Sequence, residues 1–365
     1  MSLVKGAEKL NGFLRTAKET IDSKDTVYCV VGNEAADLDS MASAVVYAYH
    51  RAGGGDAYVP LINIPRADFK LRTEAVYLFE RAGVDPAGLL FADEIDLQRL
   101  YESGKLKIVL VDHNRPAASH QEFRDVVTGV VDHHADEGLF SAAPVRIIEP
   151  VGSAATLVAR EMLKDSGDRL EEGSALLLLG TILLDTVNLD PEAKRVTPED
   201  QDAADKLLAL TGADQQELFE DLQREKFNVS ALDTADLLRK DYKEWSMGNL
   251  RVGISSVLLS VEEWLNKDGT LSDSLATYAR SRGLDLLLAM NAFTNPEFTR
   301  ELVVYCPDKP VREKVVTFLE GSDLKLDSIS SKGVDEATSL YKQDNVAVSR
   351  KKLQPILAAF LESGA

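Results

Sequence analysis

The chain has 365 residues, of which 45% are hydrophobic and 28% are charged, and its formal net charge is −19. Its length exceeds that of one ordinary hydrophobic core, so two domains are expected. The negative charge argues against duplex nucleic acid as a partner, because contacts along a duplex need a basic surface. No apolar run approaches the roughly 20 residues that span a bilayer, so no membrane partner is expected.

The first half of the chain alternates strand-like and helix-like segments. The apolar run at 26–32 (TVYCVVG) predicts a strand, and 41–50 (MASAVVYAYH) predicts a helix with Asp39 or Ser40 as its N-cap. The alternation predicts an α/β fold with a mostly parallel sheet covered by helices. Further strands are predicted at 58–64, 107–112 and 126–132, further helices at 69–82 and 96–102, a turn at 53–55, and a buried helix at 174–184.

A polar, acidic region from Leu189 to Asp221 predicts a solvated helix face or a linker. The alternation then restarts, so we predict a first domain at 1–200 and a smaller α/β domain at 201–365. The second domain is predicted to have strands at 249–260, 284–293 and 300–307, and helices at 311–320 and 349–362.

The two cysteines, Cys29 and Cys306, lie inside apolar runs and are predicted to be buried free thiols. Unpaired cysteines fit a reducing compartment. The start of the chain lacks the apolar stretch of a secretory signal. We therefore expect a cytoplasmic protein, and a monomer.

Acids and histidines follow four apolar segments of the first half. They lie at 33–39 (NEAADLD), at 112–114 (DHN), at 132–134 (DHH), and at Asp185, which ends the predicted buried helix. Ligands of open parallel sheets bind outside the carboxyl ends of the strands, so these side chains are expected to converge. A cluster with this many carboxylates needs cations, and oxygen and imidazole ligands suit Mg²⁺ or Mn²⁺.

Each of these segments also has a simpler interpretation. Asp37 and Asp39 could be capping acids favoured by the dipole of a helix, and the DHN segment could be a turn. The combination favours a metal site, because Val-Asp-His occurs at both 111–113 and 131–133, each time at the end of an element. His50 and His120 have no such partners in the sequence and are interpreted as surface residues.

The last predicted helix begins with a cluster of cations. Ser349 is a good N-cap, so Arg350, Lys351 and Lys352 occupy the first helical turn. Cations there oppose the helix dipole, and they are favourable when an anion binds at that end. A solvated basic turn is the alternative.

Several segments together resemble the motifs of the DHH phosphoesterases. They are GNEAADLDS, VDHN, VDHH, EPVGSAAT and GTILLDTVNLD, and they are most similar to the exopolyphosphatase and prune group, with family II inorganic pyrophosphatases more distant. KFNVSALDTADLLRKDYKEW and VSRKKLQP resemble the second type of DHH-associated domain. The resemblance covers essentially the whole chain. It implies an N-terminal DHH domain, a C-terminal DHH-associated domain, and an active site in the cleft between them.

The resemblance implies a role for each site residue. Two divalent cations, Mg²⁺ or Mn²⁺, would be bridged by Asp112, and the water between them would be the nucleophile. His134 would face the substrate phosphate. The implied metal ligands are Asp37, Asp39, Asp112, His133 and Asp185. The implied catalytic residues are Asp112, His134, Arg350 and Lys351, and the implied substrate-binding residues are Asn33, Lys243 and again His134, Arg350 and Lys351.

Position 33 separates the subfamilies in this comparison. The pyrophosphatases carry a histidine metal ligand where this chain has Asn33, and the exopolyphosphatase and prune group has Asn there. Asp241 is expected to position Lys243, and Lys70 with Arg72 could extend a basic path for a long polyanion.

The implied function is a metal-dependent exopolyphosphatase that releases terminal orthophosphate from linear polyphosphate. The alternatives are an inorganic pyrophosphatase, or a prune-like enzyme acting on short-chain polyphosphate or a cyclic nucleotide. A prune-like interaction protein without activity is the alternative from another class. Proteins with that role carry a long tail after the second domain, whereas this chain ends at Ala365 and retains all its acids, so an enzyme is expected.

Overall fold

The computed structural model describes residues 6–52, 56–164, 170–331 and 333–363. The chain divides into two compact units, Met1–Lys226 and Phe227–Ala365. Each unit is built on its own sheet. The turn predicted at 53–55 lies outside the described residues.

The first unit contains a five-stranded parallel sheet. Its strands are β1 (Val27–Val31), β2 (Ala57–Leu61), β3 (Leu106–Val111), β4 (Val127–Asp132) and β5 (Val145–Ile148). The order is β2-β1-β3-β4-β5, and every neighbouring pair is parallel, which confirms the predicted sheet. The chain runs from β1 outward to β2 and then returns to β3 on the other side. The carboxyl ends of β1 and β3 therefore flank the switch point, where open α/β sheets bind their ligands.

Helices cover both faces of this sheet. They are α1 (Glu8–Ser23), α2 (Leu38–Arg51), α3 (Thr73–Arg81), α4 (Leu97–Glu102), α5 (Ala154–Lys164), α6 (Glu172–Asp185), α7 (Pro198–Thr211) and α8 (Gln215–Phe227). Alternate residues of β1 point to opposite faces: Cys29 packs in the same cluster as Ala17 of α1, and Val30 packs in the cluster formed with α2 and α6. Helix α6 is apolar nearly all round and is buried from Gly173 to Leu184, as predicted.

The acidic region that was predicted to be a solvated face or a linker belongs to the first unit. Its two helices, α7 and α8, carry their charges outward, but Leu207 of α7 and Leu218 and Leu222 of α8 are fully buried in the first core. The division between the units accordingly lies at 226/227, beyond the boundary predicted at 200/201. A few leucines spaced by one or two helical turns bury a face even where the average composition is acidic.

The second unit contains a six-stranded mixed sheet in the order β10-β11-β9-β8-β7-β6. Its strands are β6 (Tyr242–Met247), β7 (Leu250–Val257), β8 (Leu286–Thr294), β9 (Phe298–Tyr305), β10 (Leu326–Ser328) and β11 (Thr338–Gln343). Only β7 and β8 pair in parallel, and the other neighbours are antiparallel. The helices are α9 (Thr234–Lys240), α10 (Val261–Lys267), α11 (Leu271–Arg282), α12 (Lys309–Glu320) and α13 (Arg350–Glu362).

Among the described helices, none combines the length and the apolar character needed to cross a bilayer.

Candidate active site

The predicted acids and histidines of the first unit lie together at the carboxyl ends of β1, β3 and β4. Asp112 follows β3 directly, with a left-handed φ of 63° that a short polar residue tolerates, and its N–H donates to Val131 O of β4 (2.9 Å). The Nδ2 group of Asn33, after β1, donates to Asp112 Oδ2 (2.8 Å), and so does the hydroxyl of Ser40 (2.7 Å). The predicted convergence of the strand ends is therefore present in the structure.

The loop after β1 holds Asp37 and Asp39 at the start of α2. Asp37 is the N-cap, and its carboxylate accepts from the N–H of Ser40 (3.1 Å), so the prediction of Asp39 or Ser40 as the N-cap was wrong. The helix begins earlier than its apolar pattern indicated, because the first turn holds buried polar side chains. Gly32 permits this approach, since a Cβ there would lie 2.8 Å from the Cβ of Ser40.

Asp39 is buried within the first turn of α2. Its Oδ2 accepts from the N–H of Ala154 (2.7 Å) and its Oδ1 from the N–H of Ala155 (2.9 Å), both at the start of α5. The hydroxyl of Ser43 also donates to Oδ1 (2.9 Å). Asp39 is thereby fixed between two helices with its remaining lone pairs directed at the cluster.

His133 has one ring nitrogen fixed and the other directed at the acids. Its Nδ1 lies 3.0 Å from Val151 O, a pairing in which Nδ1–H donates. Its Nε2 lies 3.3 Å from Asp112 Oδ1 and 3.8 Å from Asp39 Oδ2. Histidine ligands of metals commonly donate their second N–H to a backbone carbonyl in this way.

Asp132 holds the segment that contains both histidines in place. It is fully buried, and its Oδ1 accepts from the N–H of His133 (2.8 Å) and from Nδ1 of His134 (2.8 Å). Asn114 of the DHN segment donates to its Oδ2. Neither residue was assigned a role in the sequence analysis, although the DHN and DHH segments contained them.

Asp185, at the end of α6, completes the group. Its Oδ2 is buried without a hydrogen-bond partner, and the hydroxyl of Ser153 lies beside its carboxyl group. Ligand atoms of Asp112, His133 and His134 all lie within 4.8 Å of one another. His134 thus lies beside the implied metal ligands, although the resemblance assigned it to the substrate. Its side chain is 57% exposed, which leaves Nε2 open to solvent.

Burial and mutual repulsion shift the protonation of these groups. Burial, followed by the charge of Asp39, raises the pKa of Asp112 to about 7. Burial also raises the pKa of Asp39, and it holds the pKa of Asp185 well above its usual range. Burial opposes protonation of His133, but the hydrogen bond with Asp112 and the charge of Asp39 outweigh it and raise the pKa of His133 to about 10.

Little positive charge is present to offset the burial and the mutual repulsion of these acids. In the described part of the chain, no Lys or Arg side chain forms an ion pair with Asp39, Asp112 or Asp185. Oxygen and imidazole donors with an unpartnered buried carboxylate oxygen fit a divalent cation, which would hold the acids in their charged form. The cluster therefore fits the metal site that the sequence predicted.

The predicted basic residues of the second unit differ in their environment. Lys243 of β6 and Lys351 of α13 are exposed. Arg350 pairs with Asp241, through Nη2 to Oδ1 (2.5 Å) and Nη1 to the carbonyl oxygen, and only 12% of its side chain is exposed. Asp241 therefore positions Arg350, and the prediction that it positions Lys243 was wrong. The two residues are 109 positions apart, so the pair could not be found by local spacing.

The remaining predictions of single residues had mixed outcomes. Cys29 and Cys306 are buried free thiols, as predicted. His120 was interpreted as a surface residue and is 7% exposed, because the segment that contains it packs Phe123 against the sheet. Arg72 donates to the carbonyl oxygens of Ala35 and Ala36 (2.7 and 3.1 Å) and so holds the loop before Asp37.

Two family models match the chain. The DHH family, N-terminal domain, matches residues 27–182, and the DHHA2 domain matches residues 220–360. The first range contains the acid and histidine cluster except Asp185, and the second contains Lys243, Arg350 and Lys351. The resemblance found in the sequence motifs is confirmed.

Named relatives are similar over nearly the whole chain. Exopolyphosphatase PRUNE1 of Rattus norvegicus is 35% identical over 97% of this chain and 80% of its own length. Exopolyphosphatase PRUNE1 of Homo sapiens is 34% identical with the same coverage. A manganese-dependent inorganic pyrophosphatase of Methanocaldococcus jannaschii is 29% identical over 83% of this chain and 94% of its own length.

Proposed function

Because the chain belongs to the DHH family and carries a DHHA2 domain after its DHH domain, we propose that it releases terminal orthophosphate from linear inorganic polyphosphate. Its relatives are named for the hydrolysis of polyphosphate or pyrophosphate, and this chain is a hydrolase of the same class. The observation that carries the proposal is the group formed by the buried Asp39 and Asp112 with Asp185, whose Oδ2 is buried without a partner, because its charge calls for cations at the carboxyl end of the sheet.

The residues of the cluster would hold two divalent cations, Mg²⁺ or Mn²⁺. Bound cations would neutralise the carboxylates, polarise the terminal phosphoryl group and activate a water for attack on phosphorus. Asp112 would be shared between them, as the resemblance implies; its Oδ1 faces His133, and its Oδ2 accepts from Asn33 and Ser40. The proposed ligands are Asp37, Asp39, Asp112, His133 and Asp185.

The substrate side of the proposal begins at His134. Its Nδ1 is held by Asp132 (2.8 Å), so Nε2 is the ring atom left to face a phosphoryl oxygen. Lys243 and Lys351 would bind further phosphates, and Arg350 would do so while anchored by Asp241. A polyanion needs such placed cations on a chain with a net charge of −19.

Inorganic pyrophosphatase is the second candidate, because a relative with that name is similar over most of the chain. Position 33 weighs against it. The Asn33 amide donates to Asp112, and its Oδ1 accepts from the N–H groups of Ala35 (2.9 Å) and Ala36 (3.1 Å). Asn33 thus closes the loop before Asp37, and an oxygen committed to two N–H groups is a weaker metal ligand than the imidazole of the pyrophosphatases.

A side-by-side assay of phosphate release tests the proposal. The substrates are pyrophosphate, tripolyphosphate, long-chain polyphosphate and a cyclic nucleotide, each with Mg²⁺, with Mn²⁺ and with excess EDTA. We expect hydrolysis of polyphosphate that EDTA abolishes and either metal restores. Asp185→Asn should lose the hydrolysis of polyphosphate. Asp136→Asn should keep this activity, since Asp136 is an exposed acid paired with Arg146.

Each other result has a defined meaning. Activity that persists in EDTA, with metal shown to be absent, would exclude the metal mechanism. Turnover of pyrophosphate alone would favour the second candidate. A folded, metal-loaded protein that hydrolyses none of the substrates would favour an interaction protein.

A further inference from the structure

One short segment contacts three of the proposed metal ligands. We call residues 151–155 the anchor segment. The carbonyl oxygen of Val151 receives Nδ1–H of His133 (3.0 Å), and the hydroxyl of Ser153 lies beside Asp185 and lowers the pKa of its carboxyl group. The N–H groups of its last two residues hold both oxygens of Asp39 (2.7 and 2.9 Å). The orientation of these ligands therefore depends on where the anchor segment lies.

The anchor segment is in turn held by Asp200 of α7. Asp200 is fully buried, and both of its carboxylate oxygens accept from the N–H of Gly152 (3.0 and 2.9 Å). Its Oδ1 also accepts from the hydroxyl of Thr156 (2.5 Å), just beyond the anchor segment. Its Oδ2 accepts from the N–H and the hydroxyl of Thr197 (both 2.7 Å), which closes the capping box of α7.

Asp200 makes more contacts than a capping residue needs. The cap uses Oδ2 and Thr197, whereas both oxygens also accept from Gly152 and Oδ1 accepts from Thr156, which lie 48 and 44 positions away in the chain. Within the described ranges, no Lys or Arg side chain pairs with Asp200. Burying a carboxylate on neutral donors alone is costly unless every lone pair is satisfied, and here each oxygen has several donors.

Gly152 shows how closely the anchor segment packs against this part of the molecule. A Cβ at this position would lie 2.4 Å from Arg195 O, 2.6 Å from Thr186 Cγ2 and 2.9 Å from Asp200 Oδ2. No side chain fits there without moving backbone. The segment therefore has one position, which the carboxylate of Asp200 defines from one side.

We infer that Asp200 is a positioning residue, which fixes the anchor segment and through it the orientation of His133, Asp39 and Asp185. The metal affinity of the site then depends on a residue outside the ligand set. The inference rests on the metal site of the proposed function. Asp200 lies in the acidic region that sequence patterning assigns to a solvated face or a linker. Because Asp200 is buried against the anchor segment, this region would help to orient the proposed metal ligands.

The test compares Asp200→Asn with the wild-type protein by calorimetric titration of the metal-stripped chain with Mn²⁺. The amide has one acceptor oxygen, and its NH₂ group faces donors, so the anchor segment loses part of its support. We expect Mn²⁺ affinity to fall about tenfold, the lower end of the range for residues that orient metal ligands. The kcat should fall, and the KM for polyphosphate should stay within about twofold, because no proposed substrate residue is touched.

Two control variants separate positioning from stability. Asp202→Asn alters an exposed acid on the same helix and should leave Mn²⁺ affinity unchanged. Leu207→Val loosens the buried face of α7 and should lower the Tm without weakening Mn²⁺. Gly152→Ala displaces the anchor segment while keeping Asp200, and should weaken Mn²⁺ as Asp200→Asn does. It serves as the test if Asp200→Asn does not fold.

The outcomes are distinguishable. Weaker Mn²⁺ binding in Asp200→Asn and Gly152→Ala, with unchanged affinity in Leu207→Val, supports the inference. Wild-type affinity in Asp200→Asn or Gly152→Ala overturns it and leaves the proposed function standing. A wild-type chain that binds no Mn²⁺ would overturn the proposed metal site, and the inference with it.

Discussion

The acid cluster of the first unit and Lys351 at the start of α13 in the second unit carry opposite charges in opposite environments. Asp39 and Asp112 are 4% and 2% exposed. Lys351 is exposed, whereas the side chain of the neighbouring Arg350 is only 12% exposed and pairs with Asp241. The pKa values of the buried acids are raised by burial, whereas in the second unit the pKa of Glu244 is lowered to about 2 by Arg251 and by Tyr242.

This contrast shows what each kind of charge requires. Water solvates an exposed cation, so the second unit can fold around Lys351 with or without a ligand. A buried carboxylate needs hydrogen-bond donors for its lone pairs, a cation or a proton. The acid cluster therefore lacks positive charge within the described protein groups. Replacing a single acid of the cluster should change both activity and stability. Replacing exposed cations should change binding alone.

The largest expected effect comes from Asp112→Asn. The amide keeps the shape but cannot bridge two cations, so turnover should fall on the order of 10³-fold or more. The metal-free variant should have a higher free energy of unfolding than the wild type at pH 8, because one repelling charge is removed. The measurements are phosphate release and denaturant unfolding in EDTA. If Asp112→Asn is active and less stable than the wild type, the buried acid cluster does not differ from the exposed cation of α13 in the way argued above.

The pH dependence of the metal-free protein is the second prediction. In the folded protein the pKa of Asp112 is raised to about 7 and that of His133 to about 10. Both lie well above the pKa values expected in the unfolded chain, which are roughly 3.9 and 6.5. Because both folded pKa values are raised, their stabilising contribution is complete below the unfolded values and is lost as the pH rises through the folded values. The Tm in EDTA should therefore fall from pH 6 to pH 9.

Two comparisons sharpen this test. Asp112→Asn should show a shallower fall in Tm than the wild type, and Asp136→Asn should match the wild type. Saturating Mn²⁺ should reverse the slope, because metal binding strengthens as its ligands lose protons. A metal-free Tm that rises toward pH 9 would contradict the assigned shifts. Glu244 acts at the other end of the pH range. Its lowered pKa stabilises the second unit above about pH 4.5, and this stabilisation is lost as the pH falls toward 2.

The smallest effect is expected from Lys351→Ala. The KM for polyphosphate should rise about threefold to tenfold, the effect of one exposed cation at a phosphate, about 0.6–1.4 kcal/mol. Removing a cation from the first turn of α13 should leave the Tm unchanged or slightly higher, because it opposes the helix dipole. Lys309→Ala is the matched control, since Lys309 is an exposed cation in the first turn of α12 and should leave KM unchanged. An equal rise of KM in both variants would indicate a general charge effect.

The parallel sheet, the buried helix α6 and the order of the acid and histidine motifs were predictable from local sequence. Period-two and helical patterns are properties of neighbouring residues, and DHN and DHH follow apolar runs directly. The N-cap of α2 was missed because buried polar residues interrupt the apolar pattern that marks a helix start. His120 was misplaced because its burial comes from the packing of its segment, which its neighbours in sequence do not encode.

The sequence by itself determined which residues are proposed for the site and on which element ends they lie. The tertiary structure alone decided how they are held. Asp200 meets Gly152 across 48 positions, and Arg350 meets Asp241 across 109. Helices α7 and α8 join the first core through three buried leucines despite their acidic composition. Such contacts follow from where separate elements pack, and the free energy of that packing is summed over the whole core, so no local pattern records it.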